Sequence, residues 1–244
     1  MASSENRVVF RDDPVNGPNH LKEAGKPIGH QNRYLVGGNY ETIDDVFNNA
    51  QTGSINSVAP GQVVPGDFIY IDFDSNGILN GQDKVAVAEL NYPLHTYGLN
   101  LGFDWKGLSF SAMFYAPTGV YKLVNSVYSA SFKSGKINAQ PDVMNAWTPE
   151  TANTSGVRAP ALHLTNDGAF NGTESTYRYQ NFSYLRLKTM ELGYNLPKKW
   201  LKTVGLKSLQ VYVTGNNLLT WWGGDDRIDP EGEQAKYPIL RSFT

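Results

Sequence analysis

Large apolar residues alternate with small or polar ones from Tyr97 to Trp105: Tyr97, Leu99, Leu101, Phe103 and Trp105 are interleaved with Gly98, Asn100, Gly102 and Asp104. A period of two marks a strand with two unlike faces. Lys106-Gly107 reads as a tight turn, after which Leu108, Phe110, Ala112 and Phe114 alternate with Ser109, Ser111, Met113 and Tyr115. These runs predict a hairpin of long strands over about 95–105 and 108–116. A second hairpin is predicted over about 183–196 and 207–219, from Leu185, Leu187, Met190, Leu192, Tyr194 and Leu196 on one strand and Leu209, Val211 and Val213 on the other. Its connection, Pro197 to Gly205, has room for one helical turn, and the start of a last strand is expected near residue 240.

Between and before these strands the texture is that of loops. Residues 1–94 are dominated by turn formers such as Asp12-Asp13-Pro14 and Val36-Gly37-Gly38-Asn39, and read as a loop-rich extracellular or lumenal region. Residues 117–181, rich in Ser, Asn, Thr, Gly and Pro, read as one long loop belonging with the strands of 95–244. Connections are therefore short on one side of the strands and tens of residues long on the other. Outer-membrane barrels have this asymmetry, with short periplasmic turns and long extracellular loops. Trp105, Tyr194 and Trp200 lie where strands meet the short turns, as an aromatic girdle does. A soluble β-sandwich alternates equally well, so periodicity leaves both architectures open.

Composition narrows the function classes. The chain has 244 residues, of which 18% are charged, below the roughly 25% usual for soluble domains, and 12% are aromatic. Its 24 Gly fit a turn-rich all-β chain. A net charge of −2 supplies no basic field for a phosphate backbone and excludes a dedicated nucleic-acid binder. The absence of Cys removes disulfides, thiolate nucleophiles and Cys-type zinc sites together. The opening Met1-Ala2-Ser3-Ser4-Glu5-Asn6-Arg7 has no signal-peptide pattern, and no apolar run reaches the roughly 18 residues of a membrane helix. Strand-based spanning passes that test.

The most specific local motif is Asp72-Phe73-Asp74-Ser75-Asn76-Gly77-Ile78-Leu79-Asn80-Gly81-Gln82-Asp83. Oxygen-bearing side chains fall at loop positions 1, 3, 5, 9 and 12, with Gly77 at 6 and apolar Leu79 at 8. These are the calcium-loop positions of an EF-hand, with the Ile78 carbonyl at position 7. Asp72, Asp74, Asn76, Ile78, Asn80 and Asp83 are accordingly the expected ligands of a structural Ca²⁺. Asp83 is shorter than the bidentate Glu of the full motif, and no flanking helices are evident. An Asx-rich turn that binds nothing is the competing reading.

Catalytic constellations are absent. His20, His30, His95 and His163 have no metal-ligand spacing, and no nucleophile elbow or phosphate loop occurs, so the chain reads as a non-enzyme. Asp225, Asp226, Asp229, Glu231 and Glu233 offer paired carboxylates of the glycosidase kind, but their setting between glycines reads as a solvated acidic loop. Trp147, Trp221 and Trp222 are the candidates for stacking on a substrate, with loop packing as the plainer account.

Taken in order, several segments resemble the C-terminal part of the SusC/RagA family of TonB-linked outer-membrane transporters of Bacteroidetes. They are Glu23 to Gly29, Pro65 to Tyr70 leading into the acidic loop, His95 to Asn100, Trp147-Thr148-Pro149-Glu150, Ser183 to Lys188, Leu192 to Pro197, Val211 to Thr220, Asp229-Pro230-Glu231 and Tyr237-Pro238. The resemblance implies a partial transmembrane β-barrel, antiparallel, with long extracellular loops. It implies import of oligosaccharides or peptides with a SusD-like surface lipoprotein, energised by TonB through an N-terminal region absent here, in contact with outer-membrane lipid. The plug and most barrel strands are also absent, so this chain is expected to be the end of a larger protein whose functional start is not Met1. A soluble extracellular calcium-dependent binding module is the alternative from a different class.

Overall fold

At the predicted tight turn, Lys106 and Gly107 both take positive φ, 49° and 91°. Two successive left-handed residues match the twist of the flanking strands, and glycine takes the second position without strain. A computed structural model describes residues 1–3, 5–15, 17–49, 51–52, 63–87, 90–124, 144–152, 159–162, 170–202, 205–224, 228–232 and 239–244. Its strands are β1 (Ala2–Ser3), β2 (Gln31–Arg33), β3 (Val36–Asn39), β4 (Gln51–Thr52), β5 (Phe68–Tyr70), β6 (Ile78–Leu79) and β7 (Val85–Val87). They continue with β8 (His95–Trp105), β9 (Leu108–Thr118), β10 (Tyr121–Leu123), β11 (Tyr179–Asn181), β12 (Tyr184–Asn195), β13 (Gln210–Trp222) and β14 (Ser242–Phe243). The chain divides into two units: Met1–Glu5 with Leu90–Tyr121 and Asn181–Thr244, and Asn6–Glu89 with Lys122–Gln180.

The first unit is one antiparallel six-stranded sheet in the order β1-β8-β9-β12-β13-β14. Directly opposed residues of antiparallel strands share a face, so the register sorts the side chains. Phe103 opposes Phe110, Phe110 opposes Leu192, and Leu192 opposes Val213. On the other face Gly102 opposes Ser111, Ser111 opposes Glu191, and Glu191 opposes Thr214. The apolar face is uncovered: Leu101, Phe103, Leu192 and Val213 keep 48%, 52%, 47% and 58% of their surface. A sandwich buries that face against a second sheet, so the sandwich alternative is overturned. An outward apolar band opposite a polar inner face is the pattern of a barrel wall. Trp105, Tyr194 and Trp200 are exposed at the short-connection end of the sheet, where α2 (Lys198–Lys202) sits between β12 and β13.

The wall changes phase once. Between Leu187 and Thr189, β12 advances two residues while β9 advances one, from Phe114 to Met113. Over the same step β13 advances three, from Leu219 to Asn216, with Asn217 at φ 54°. This bulge leaves Lys188 without an opposed residue on either neighbour, and it moves the inward face from Tyr184 and Arg186 to Thr189, Glu191 and Gly193.

The second unit holds the aromatic core. Tyr34, Tyr40, Val63, Phe68, Tyr70, Leu79 and Phe170 are buried together, with Val36, Val46, Ile69 and Tyr177 packed against them. The Phe68 ring lies 4.6 Å from that of Tyr177, and Tyr70 meets Phe170 edge-on at 4.9 Å. Short pairs β2–β7, β3–β5 and β4–β6 brace this cluster. Helix α1 (Ile43–Asn48) starts on a capping box in which the Thr42 hydroxyl accepts from the Asp45 amide.

The packing groups the chain differently from the division expected at residue 95. Residues 122–180, grouped by sequence with the barrel strands, belong with 6–89. The cause is packing: in this polar stretch Phe170 and Tyr177 join the second unit's core and Trp147 is buried in the same unit. Among the described residues no helix is long and apolar enough to cross a membrane.

Candidate metal loop and the anchored acidic turn

The acidic loop is built from its own side chains. Asp72 Oδ2 accepts the Gly77 amide at 2.7 Å and Asp72 Oδ1 the Asn76 amide at 3.2 Å. Asn76 Oδ1 accepts the Ile78 amide at 2.7 Å. Positive φ at Ser75 (59°) and Gly77 (81°) makes the bend that lets the loop close on itself. Leu79 is fully buried in the core and fastens the loop to the second unit. Asp83 is also fully buried, with Oδ1 accepting the Phe73 amide at 2.9 Å and Oδ2 the Asn80 amide at 2.7 Å. His20 adds a brace, its Nε2 lying 2.7 Å from the Gln82 carbonyl and its ring 4.7 Å from that of Phe73.

One carboxylate oxygen from each of Asp72, Asp74 and Asp83 lies within 4.8 Å of the others. Partial burial opposes ionisation of Asp72, but the amides of Gly77 and Asn76 outweigh it and hold the carboxyl below its usual range. Three convergent carboxylates are chemically suited to a hard cation, which takes several oxygens at once. Of the other expected ligands, Asn76 and Asn80 lie in the same loop with their side chains engaged on local amides, and the Ile78 carbonyl accepts from Asn80 Nδ2 at 3.2 Å.

The three tryptophans do not form one stacking surface. Trp147 is buried in the second unit and donates through Nε1 to Glu41 at 2.9 Å. Trp222 packs on Phe182, ring centroids 5.1 Å apart. Trp221 is 48% exposed and opposes Leu185 on the outward, apolar face. Packing and a lipid-facing position account for all three.

The second half of the acidic cluster also departs from expectation. Asp225, Asp226 and Glu233 lie outside the described residues, but Asp229 and Glu231 are drawn into ion pairs. Arg186, only 1% exposed, donates through Nη2 to Asp229 at 2.7 Å and through Nη1 to Glu231 at 2.9 Å. Lys188 reaches both oxygens of Glu231. Asp229 Oδ1 also accepts the amides of Glu231 at 2.9 Å and Gly232 at 3.2 Å. Partial burial opposes the Asp229 charge, yet Arg186 and these amides hold its carboxyl below the usual range. Arg186 and Lys188 were missed as site residues because a strand signal weighs apolar alternation. Two cations at i and i+2 on the inward face of a barrel strand were the available sign.

No family model matches the chain. Two curated relatives from Formosa agariphila do: TonB-dependent receptor P3, 33% identical over 199 residues, and TonB-dependent receptor P26, 33% identical over 176 residues. These alignments take in 75% and 69% of this chain but 19% and 16% of the relatives, so the chain spans under a fifth of their length. Among solved structures, the RagAB peptide importer in its open-open state aligns with 83% of this chain at TM-score 0.56 and 22% identity, covering 20% of that chain. Its closed-closed state aligns with 85% of this chain and 21% of that one, at TM-score 0.55 and 24% identity. The structural likeness shows the fold, and it is the barrel-wall fold already drawn from the register. With the relatives' identity, the ordered motifs and the outward apolar face together, the chain belongs with the TonB-dependent receptors, as part of their outer-membrane barrel.

Proposed function

We propose that this chain is the C-terminal barrel portion of an outer-membrane importer that takes up peptides or oligosaccharides with a SusD-like lipoprotein, using energy delivered through TonB. The observation that carries the reading is the sheet with one uncovered apolar face and one polar face, a wall made for lipid on one side and an aqueous lumen on the other. The relatives named as TonB-dependent receptors support the energy coupling, and the likeness to a peptide importer favours peptides as cargo. The test is uptake by cells expressing the intact receptor. Fluorescent oligopeptides and oligosaccharides are offered to wild-type, receptor-deleted and TonB-deleted strains. Uptake lost in both deletions supports the reading, and equal uptake in all three overturns it.

The 72–83 loop enters this reading as a structural calcium site that stiffens an external or lumenal loop. The crowding of three carboxylates within 4.8 Å supports it, since a divalent ion relieves their mutual repulsion. Calorimetric titration of the intact receptor with Ca²⁺ is expected to give heat that disappears in Asp72→Ala. No heat in the wild type sinks the assignment.

A further inference from the structure

Two motifs that the import reading leaves unused meet on the inner face of the sheet: Arg186-Leu187-Lys188 on β12 and Asp229-Pro230-Glu231 in the connection from β13 to β14. In the sheet β13 lies between β12 and β14. A connection that only joined β13 to β14 has no reason to touch β12, yet residues 229 and 231 reach across β13 to bind it. The turn also ties down the returning chain, because Asp229 Oδ2 accepts the Ile239 amide at 3.4 Å, three residues before β14 begins.

The cationic side is built for this contact. Lys188 stands two residues on from Arg186, on the same face, so that both cations serve one acidic turn. Tyrosines wall them in: the Arg186 guanidinium lies 5.2 Å from the Tyr184 ring centroid and the Lys188 ammonium 5.6 Å from that of Tyr115. Two positive and two negative groups close on each other, so the charges are matched within the contact.

We propose that Arg186 and Lys188 are positioning residues that latch the Asp229–Glu231 turn onto the inner face of β12, so that residues 228–232 form a strap folded inward over β13. The strap holds the chain on its return path and so sets where β14 meets β13, at Gly215 opposite Phe243. This stands on geometry within the sheet and is independent of the cargo imported.

The test is hydrogen exchange with peptide mapping on the intact receptor in detergent, comparing wild type with Arg186→Gln, Lys188→Gln and Asp229→Asn. Expected is exchange of residues 228–232 at least ten times faster in Arg186→Gln and Asp229→Asn and an intermediate change in Lys188→Gln, while β12 and β13 keep wild-type protection. Arg186→Lys is expected to restore part of it. Unchanged exchange of 228–232 overturns the latch, as does loss of protection in β12 and β13 together with the turn, which makes the contact a support of the sheet and not of the strap. If Arg186→Gln does not fold, Asp229→Asn and Lys188→Gln decide by the same criteria.

Discussion

Asn171 joins two segments about a hundred residues apart by donating through Nδ2 to Asp67 at 2.7 Å while its Oδ1 accepts the Phe68 amide at 2.9 Å. Both residues are buried, and the pair sits beside the aromatic core that Phe68 and Phe170 fill. Asn171→Leu keeps the branching at Cγ but adds bulk and removes one donor and one acceptor from a buried pair. The expected cost is about 2–6 kcal/mol, each lost partner contributing roughly 1–3 kcal/mol. It is read as a fall in the urea midpoint of the second unit's transition. Asn171→Asp is expected to be as harmful, because it sets a second carboxylate against Asp67.

Gly66 marks a second sensitive point. Its φ is +94°, and an added Cβ meets the Ala161 Cβ and the Trp147 ring at 2.5 Å. Gly66→Ala therefore combines backbone strain with overpacking, for an expected loss of at least about 2 kcal/mol. Denaturation of the variant followed by tryptophan fluorescence measures it. Wild-type stability contradicts the packing described here.

The two faces of the sheet predict opposite tolerances. Leu101→Arg places a charge on the outward face and is expected to cost about 2–4 kcal/mol of barrel stability near the bilayer midplane. Ser111→Arg, on the inward face, is expected to change stability little. Heat-modifiable gel mobility of the intact receptor, folded into vesicles, separates the two. Equal damage from both substitutions contradicts the assignment of faces.

The anchored turn has a defined pH dependence. The Asp229 carboxyl is held below its ordinary value of 3.8, so its contribution is fully present above that value. The contribution is lost as pH falls through the lowered folded value. Protease sensitivity of the β13–β14 connection is therefore expected to stay flat from neutral pH down to the ordinary carboxylate range and to rise only in stronger acid. Asp229→Asn is expected to abolish the acid step.

The long strands were legible because their signal is local and repeated: from Tyr97 to Trp105 every second residue is large and apolar, and β8 ends at Trp105 as that run does. The acidic loop was legible for the same reason, since its oxygens fall within twelve consecutive residues. The second unit's core was not, because Tyr34, the short Phe68/Tyr70 pair and Phe170 share no common period and meet only through tertiary packing. Asp229 and Glu231 were misread as solvated because their partner Arg186 lies 43 residues from Asp229 along the chain. Charge neutralisation at that range leaves no trace in local composition.

The bulge at Lys188 has a consequence for anyone numbering this wall. Leu185 and Leu187 point the same way as Met190 and Leu192, so odd positions before the bulge correspond to even ones after it. A scan that substitutes every second residue of β12 begins on one side of the wall and finishes on the other. Labels, cross-linkers or charges placed by parity alone report on lipid at one end of the strand and on the lumen at the other.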